Sequence, residues 1–179
     1  MPQKLNIGIV GAEEWNEEQQ RKVRIEIENT FNTHAEKKVA KDALTNLVHS
    51  NLTLVSAHDV VGKMAEEIVD ALGIKKRIFR AEVDQWEDKL MNTNPRIPQL
   101  NIFGKRGYKS TYLLTAEACD VLYCFVPKRE GPFIHGDSFK GAGWFCDHCV
   151  EKGHPTNNGC FALKKAKQLG KETHLILIE

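Results

Sequence analysis

Four potential metal ligands lie close together near the C-terminus of this chain. Cys146 and Cys149 form a C-x2-C pair, and His154 and Cys160 follow at short spacings. A C-x2-C pair can chelate one Zn²⁺ ion, and two further nitrogen or sulfur ligands complete a tetrahedral shell with bonds of about 2.0 to 2.3 Å. Because four such ligands leave no position for water, the array predicts a structural zinc ion.

Two other interpretations of this array remain open. The cysteines could pack or face solvent in a loop without metal, or the C-x2-C pair could be a redox site, although a redox pair normally begins a helix after a strand. His148 competes with His154 as the third ligand, and the spacing favours His154. The start of the chain lacks the features of a secretory leader, which predicts a reduced, cytoplasmic protein without disulfides.

Composition restricts the class of protein. The chain has 179 residues, of which 41% are hydrophobic and 27% are charged, values that are ordinary for one soluble domain. No apolar run is long enough to span a membrane. With a formal net charge of +1, the chain lacks the excess of basic residues that is typical of a dedicated nucleic-acid-binding protein. We therefore expect a single domain over residues 1–179 with a zinc-binding insert at 128–160.

The pattern of apolar residues predicts alternating strands and helices. Short apolar runs predict the strands, and more polar stretches of helical character separate them. The predicted strands are 4–10, 52–56, 77–81, 121–126 and 173–178, and the predicted helices are 13–31, 36–48, 61–72, 110–118 and 161–169. Residues 83–104 form a long connection with little periodicity. This order is typical of a parallel sheet covered on both faces, and it predicts a Rossmann-like doubly wound α/β fold of about five strands in the order 3-2-1-4-5.

The predicted fold indicates where a ligand should bind. In such sheets, ligands bind outside the carboxyl ends of the strands, where the strand order reverses. The turns Gly11-Ala12, Ser56-Ala57-His58 and Asn158-Gly159 lie at or near predicted strand ends and precede helices. Main-chain N–H groups at helix starts bind anions. These turns therefore predict a site for a phosphate-bearing ligand.

Several short motifs follow one another in a recognisable order. The first strand ends in the Gly-small turn Gly11-Ala12, and a loop after the second strand leads through Gly62 into a helix with the Ala-Glu motif. Lys109-Ser110 opens a helix ahead of a strand that starts after Asp120. Gly159 then opens the last helix. In this order, the motifs resemble those of the SLOG superfamily, a Rossmann-like group that includes DNA-processing protein A and the LOG phosphoribohydrolases.

The resemblance implies a protein like the small nucleotide-sensor members of that group. It implies that Gly62 lies in the ligand-binding loop, and it places Lys109 and Ser110 at the family's Arg-Asn position. The likeness covers nearly the whole chain outside residues 128–156. It therefore implies a nucleotide, or a phosphorylated compound derived from one, as the ligand.

The chain also departs from the family's pattern. Ala57 and His58 stand where the family favours glycines, and Cys160 replaces a threonine whose hydroxyl would donate to a phosphate. Leu163 stands where the phosphoribohydrolases have a glutamate. The last departure removes the residue that would best support a hydrolase.

Three further residues near the predicted site each have two interpretations. Arg106 and Lys109 could clamp a phosphate, or they could belong to a solvated helix start. Trp86 could stack on a base, or it could pack in the core.

Acidic and imidazole side chains raise the alternative of an enzyme. Glu13 suits the dipole at a helix start, but it could also accept a hydrogen bond from a ribose hydroxyl or hold Mg²⁺ beside a bound nucleotide. His58 and Asp59 could form an acid–base pair, although Asp59 is better suited as a helix N-cap.

The sequence thus leaves three functions open. The first is binding of a nucleotide or nucleotide-derived phosphate, with a sensory role as one form of it. The second is hydrolysis of an N-glycosidic or phosphate bond of a nucleotide, with His58, Asp59 or Glu13 as acid or base. The third is single-stranded nucleic-acid binding. No membrane partner is expected, and a homodimer is compatible with the sequence.

Overall fold

A computed structural model describes residues 4–39, 51–82, 107–128 and 158–179. Within these residues, five parallel strands form one sheet in the order β3-β2-β1-β4-β5. This order confirms the predicted Rossmann-like fold. The strands are β1 (Leu5–Gly11), β2 (Leu52–Ala57), β3 (Lys75–Phe79), β4 (Val121–Pro127) and β5 (Glu172–Ile178), and the helices are α1 (Glu17–Val39), α2 (Val60–Ala71), α3 (Tyr108–Ala118) and α4 (Gly159–Gln168).

The first helix differs most from its predicted bounds. It begins at Glu17 because Asn16 caps it: the Asn16 Oδ1 accepts a hydrogen bond from the Gln19 N–H at 2.8 Å, and the Gln19 side chain accepts one from the Asn16 N–H at 3.3 Å. The helix also continues to Val39, so the break predicted between residues 31 and 36 is wrong. The rest of the predicted second helix, 40–48, and the predicted connection 83–104 lie outside the described residues.

Two apolar layers, one on each face of the sheet, form the core. Neighbouring residues of a strand point to opposite faces, so Ile9 packs with α1 and α2 while Val10 packs with α3 and α4. Complete burial of an aliphatic side chain of this size stabilises the fold by about 1.5 to 3 kcal/mol. In the part of the chain that the structure describes, no helix combines the length and hydrophobicity that crossing a bilayer requires.

Candidate functional site

Three segments of the chain are joined at the carboxyl edge of the sheet. The Gly11 N–H at the end of β1 donates to the Asp59 Oδ2 at 3.4 Å, which connects the β1 end to the start of α2. The Asn158 Nδ2 donates to the Glu13 Oε1 at 2.6 Å, which connects the turn after β1 to the start of α4. These contacts lie where the strand order reverses between β1 and β4, the place where doubly wound sheets have their ligand crevice. We call it the switch-point crevice.

Asp59 is the N-cap of α2, as the sequence predicted. Its backbone is extended, with φ −90° and ψ −175°, and its Oδ1 accepts a hydrogen bond from the Gly62 N–H at 2.5 Å. Only 8% of the residue is exposed. Burial raises the pKa of Asp59 to about 7, an effect that the hydrogen bonds from the Gly62 and Gly11 N–H groups oppose. Asp59 is therefore a structural carboxyl group whose ionisation destabilises the folded protein.

Tyr112 is a buried member of the crevice that the sequence did not single out. It lies in α3, one turn after the helix begins, and its side chain is fully buried. Its hydroxyl interacts with the Asp59 carboxyl and the Asn158 side chain, and burial raises its pKa far above the ordinary value. The phenol is therefore uncharged. A lone tyrosine in a helical stretch gives no signal of such a position, because the position depends on how α3 packs on the sheet.

The polar groups of the strand-end turns are engaged within the protein. The Gly11 N–H points at a carboxylate rather than at an open ligand position, because Asp59 lies there. The Ala12 N–H donates to the Phe125 carbonyl oxygen at 3.0 Å. The buried Ser56 hydroxyl lies 2.6 Å from the Ile9 carbonyl oxygen. These groups build the wall of the crevice, and a phosphate would have to be held by other groups.

Gly62 has a packing role that the sequence did not predict. A Cβ atom at this position would lie 1.9 Å from the Ala57 carbonyl oxygen and 2.5 Å from the Ser56 Oγ. The first turn of α2 thus packs directly on the end of β2. A ligand-binding role for Gly62 stays a prediction, and so does one for Ala57, which is buried in the core.

His58 is paired with Glu66, an acid that the sequence did not single out. The Asp59 carboxyl makes the helix cap that the sequence favoured over an acid–base pair with His58. The His58 Nδ1 instead lies 2.7 Å from the Glu66 Oε1, two turns further along the chain in α2. The Glu66 side chain is only 11% exposed, and its Oε2 lies 3.3 Å from an Arg80 guanidinium nitrogen. A buried carboxylate therefore orients the imidazole.

The remaining predicted ligand residues lie at helix starts or beyond the described segments. Lys109 and Ser110 occupy the first turn of α3 and are half-buried. Gly159 is buried at the start of α4, directly after Asn158. Trp86 and Arg106 lie outside the described residues, so their roles stay predictions.

Most of the predicted zinc ligands also lie outside the described residues. These are Cys146, Cys149 and His154, together with the competing ligand His148. Cys160 is described: it is buried in the first turn of α4. Among the residues of the four described segments, no group of three or more histidine, cysteine or acidic side chains could hold a metal ion.

The fold and the crevice define a Rossmann-like α/β protein with carboxyl groups at its switch point. Comparison with known proteins does not narrow this class. No family model matches the sequence, and no curated protein and no solved structure matches it.

Proposed function

We propose that the switch-point crevice binds a nucleotide or a nucleotide-derived phosphorylated ligand, and that the chain is a member of the SLOG superfamily. The observation that carries this proposal is the bond of 2.6 Å between Glu13 and Asn158. It joins the loops on the two sides of the switch point, which is where ligands bind in doubly wound sheets.

The chemistry of the crevice suits the ribose of such a ligand. An ionised carboxylate accepts hydrogen bonds from hydroxyl groups, and a side-chain amide both donates and accepts them. Glu13 is exposed and Asn158 is partly buried, so both can be reached from solvent. The Gly11 and Ala12 N–H groups already donate hydrogen bonds within the protein, so the phosphate would lie toward the starts of α3 and α4. Lys109, in the first turn of α3, would supply a positive charge there.

Equilibrium binding tests this proposal directly. Adenosine, AMP and ADP, with their guanine counterparts, would be titrated by calorimetry into the protein and into its Glu13→Ala variant. We expect binding by the wild type, with the affinity reduced at least about tenfold in the variant, because a hydrogen bond to a charged group contributes about 1.5 to 3 kcal/mol.

Glu14→Ala is the matched control for this experiment. Glu14 is also exposed and carries the same charge one residue further along the chain. Its removal changes the net charge equally, so the control variant should bind like the wild type. If no member of the panel binds, or if the two variants weaken binding equally, the proposal is wrong.

We also propose that Cys146, Cys149, His154 and Cys160 hold one structural zinc ion. Elemental analysis of protein purified without chelators should give one zinc per chain, and the Cys149→Ser variant should lose it because three ligands hold the ion far more weakly. Cys124→Ala is the control, since Cys124 is buried in β4 and lies outside the array. Stoichiometric zinc in the Cys149→Ser variant would contradict the ligand assignment.

A further inference from the structure

His58 lies beside the switch-point crevice and carries an oriented imidazole that ligand binding does not use. Its backbone N–H donates to the Phe79 carbonyl oxygen at 3.1 Å, which fixes the residue between the ends of β2 and β3. The next residue, Asp59, contacts Gly11 inside the crevice. The side chain of His58 is 31% exposed. A ligand in the crevice that extends toward β3 would therefore reach it.

The Glu66 carboxylate determines which ring nitrogen of His58 can react. A carboxylate 2.7 Å from Nδ1 accepts a hydrogen bond, so the proton of the neutral ring lies on Nδ1. This tautomer leaves the Nε2 lone pair as the acceptor. Within the described residues, the imidazole makes its side-chain hydrogen bond through Nδ1. The Nε2 atom is thus suited to take a proton from a substrate or a water molecule.

The charged groups around His58 hold Glu66 in place. Arg80 lies 3.3 Å from the Glu66 Oε2, and Lys76 lies 3.9 Å from the same oxygen. Lys76 also pairs with Asp70 at 2.6 Å. Lys76 lies in β3, and Arg80 directly follows the last residue of that strand, Phe79. Because its buried carboxylate contacts His58 through Oε1 and Arg80 through Oε2, Glu66 cannot leave the imidazole without breaking these contacts.

We propose that His58 is the general base for hydrolysis of a phosphoanhydride bond in the nucleotide ligand, with Glu66 as its positioning residue. In this step a water oxygen forms a bond to phosphorus while the bond from phosphorus to the bridging oxygen breaks. The water proton moves to the His58 Nε2, and the bridging oxygen leaves with the departing phosphate, which keeps its electron pair. Water is the only co-reactant, and the inference rests on the proposed function because the crevice must bind the nucleotide.

Within residues 4–39, 51–82, 107–128 and 158–179, His58 has no partner acid that is open to a leaving group, and a base of this kind favours an anhydride over an ester or an N-glycosidic bond. A phosphate departs as a stable anion, whereas an alkoxide or a nucleobase usually needs a proton from a general acid as it leaves. Among the described residues, the buried acids beside His58 are Glu66, which is paired with its Nδ1, and Asp59, whose two oxygens accept hydrogen bonds from backbone N–H groups. The arrangement at His58 therefore matches a substrate whose leaving group needs no acid.

The experiment measures turnover and binding on the same protein. The probes are ADP, ATP and a dinucleoside pyrophosphate, with Mg²⁺ present, and the products are followed by chromatography. We expect slow hydrolysis whose kcat falls about 100-fold or more in His58→Ala and in His58→Gln. In Glu66→Gln the amide can donate to Nδ1 and favour the wrong tautomer, so kcat should fall about tenfold while KM stays close to its original value.

The pH profile separates a base from a merely structural histidine. Since a protonated imidazole cannot accept a proton, the wild-type rate should fall on the acid side, and this fall should disappear from the residual rate of His58→Gln. His174→Gln is the matched control, because the His174 Nε2 also lies 2.7 Å from a glutamate, Glu172, but on β5 at the opposite edge of the sheet. That variant should keep the wild-type rate.

Each outcome decides between the two proposals. Nucleotide binding without any hydrolysis overturns the assignment of His58 as a base and leaves the binding function intact. Hydrolysis that survives both His58 substitutions, or that falls equally in His174→Gln, also overturns it. If neither binding nor hydrolysis is found, both proposals fail. Circular dichroism of each variant checks that a lost rate does not come from a lost fold.

Discussion

Replacing Asp59 with asparagine should make the protein more stable above pH 7. The pKa of Asp59 is raised from 3.8 to about 7 in the folded protein, chiefly by burial. The folded state therefore holds a proton that the unfolded state has released, and stability falls as pH rises from about 4 to about 7. By the linkage relation this loss is on the order of 4 kcal/mol. Asparagine keeps an oxygen for the Gly62 N–H but has no charge, so the loss should disappear.

The measurement is urea unfolding of wild type and variant at a series of pH values between 4 and 8.5. Near pH 4 the two should differ by no more than about 1 kcal/mol, since both side chains are then neutral. Asp70→Asn is the control, because the Asp70 side chain is 60% exposed in the same helix and its ion pair contributes little. If the free energies of unfolding of wild type and Asp59→Asn change in parallel with pH, ionisation of Asp59 does not destabilise the folded protein.

Gly62→Ala should lower the free energy of unfolding by at least about 3 kcal/mol. The added Cβ would lie 1.9 Å from the Ala57 carbonyl oxygen, a backbone atom that cannot shift easily, and 2.5 Å from the buried Ser56 Oγ. The helix start and the end of β2 would have to separate, which would also break the contact between Asp59 and Gly11. Thermal and urea unfolding of the variant give the free energy.

Gly73→Ala separates this steric effect from the general effect of replacing a glycine. Gly73 has φ +66°, and a Cβ there would meet no atom within 4 Å. The cost is then the backbone strain of a left-handed residue, about 1 to 2 kcal/mol. If Gly62→Ala is no more destabilising than Gly73→Ala, the close packing of α2 on β2 is not what the structure indicates.

The architecture could be predicted from sequence because it depends on local patterns. Short apolar runs such as that of β4 identify buried parallel strands, and their alternation with helices restricts the topology. The sequence predicted a break in α1 because the stretch around residues 32–34 is polar, and this prediction was wrong. Phe31 and Ala35, one turn apart on either side of it, are both buried on the same face, so packing on the sheet carries the helix through.

The partners within the site could not be predicted because they form across distant segments. Gly11 and Asp59 are 48 residues apart, and Glu13 and Asn158 are 145 residues apart. The spacing of residues along the chain predicts which strand ends meet, but it does not predict which side chain turns inward. The Asp59 side chain turns inward and caps α2, whereas the His58 side chain does not and pairs with Glu66.

The most direct test of the central claim is backbone amide NMR of the protein with and without saturating AMP. If the switch-point crevice is the binding site, the largest chemical-shift changes should lie at Glu13, Asp59 and Asn158 and their immediate neighbours. The amides near Asp120 and Glu172, which lie at the amino ends of β4 and β5, should not change. Changes concentrated at that opposite edge, or no changes at saturating AMP, would contradict a nucleotide site in the crevice.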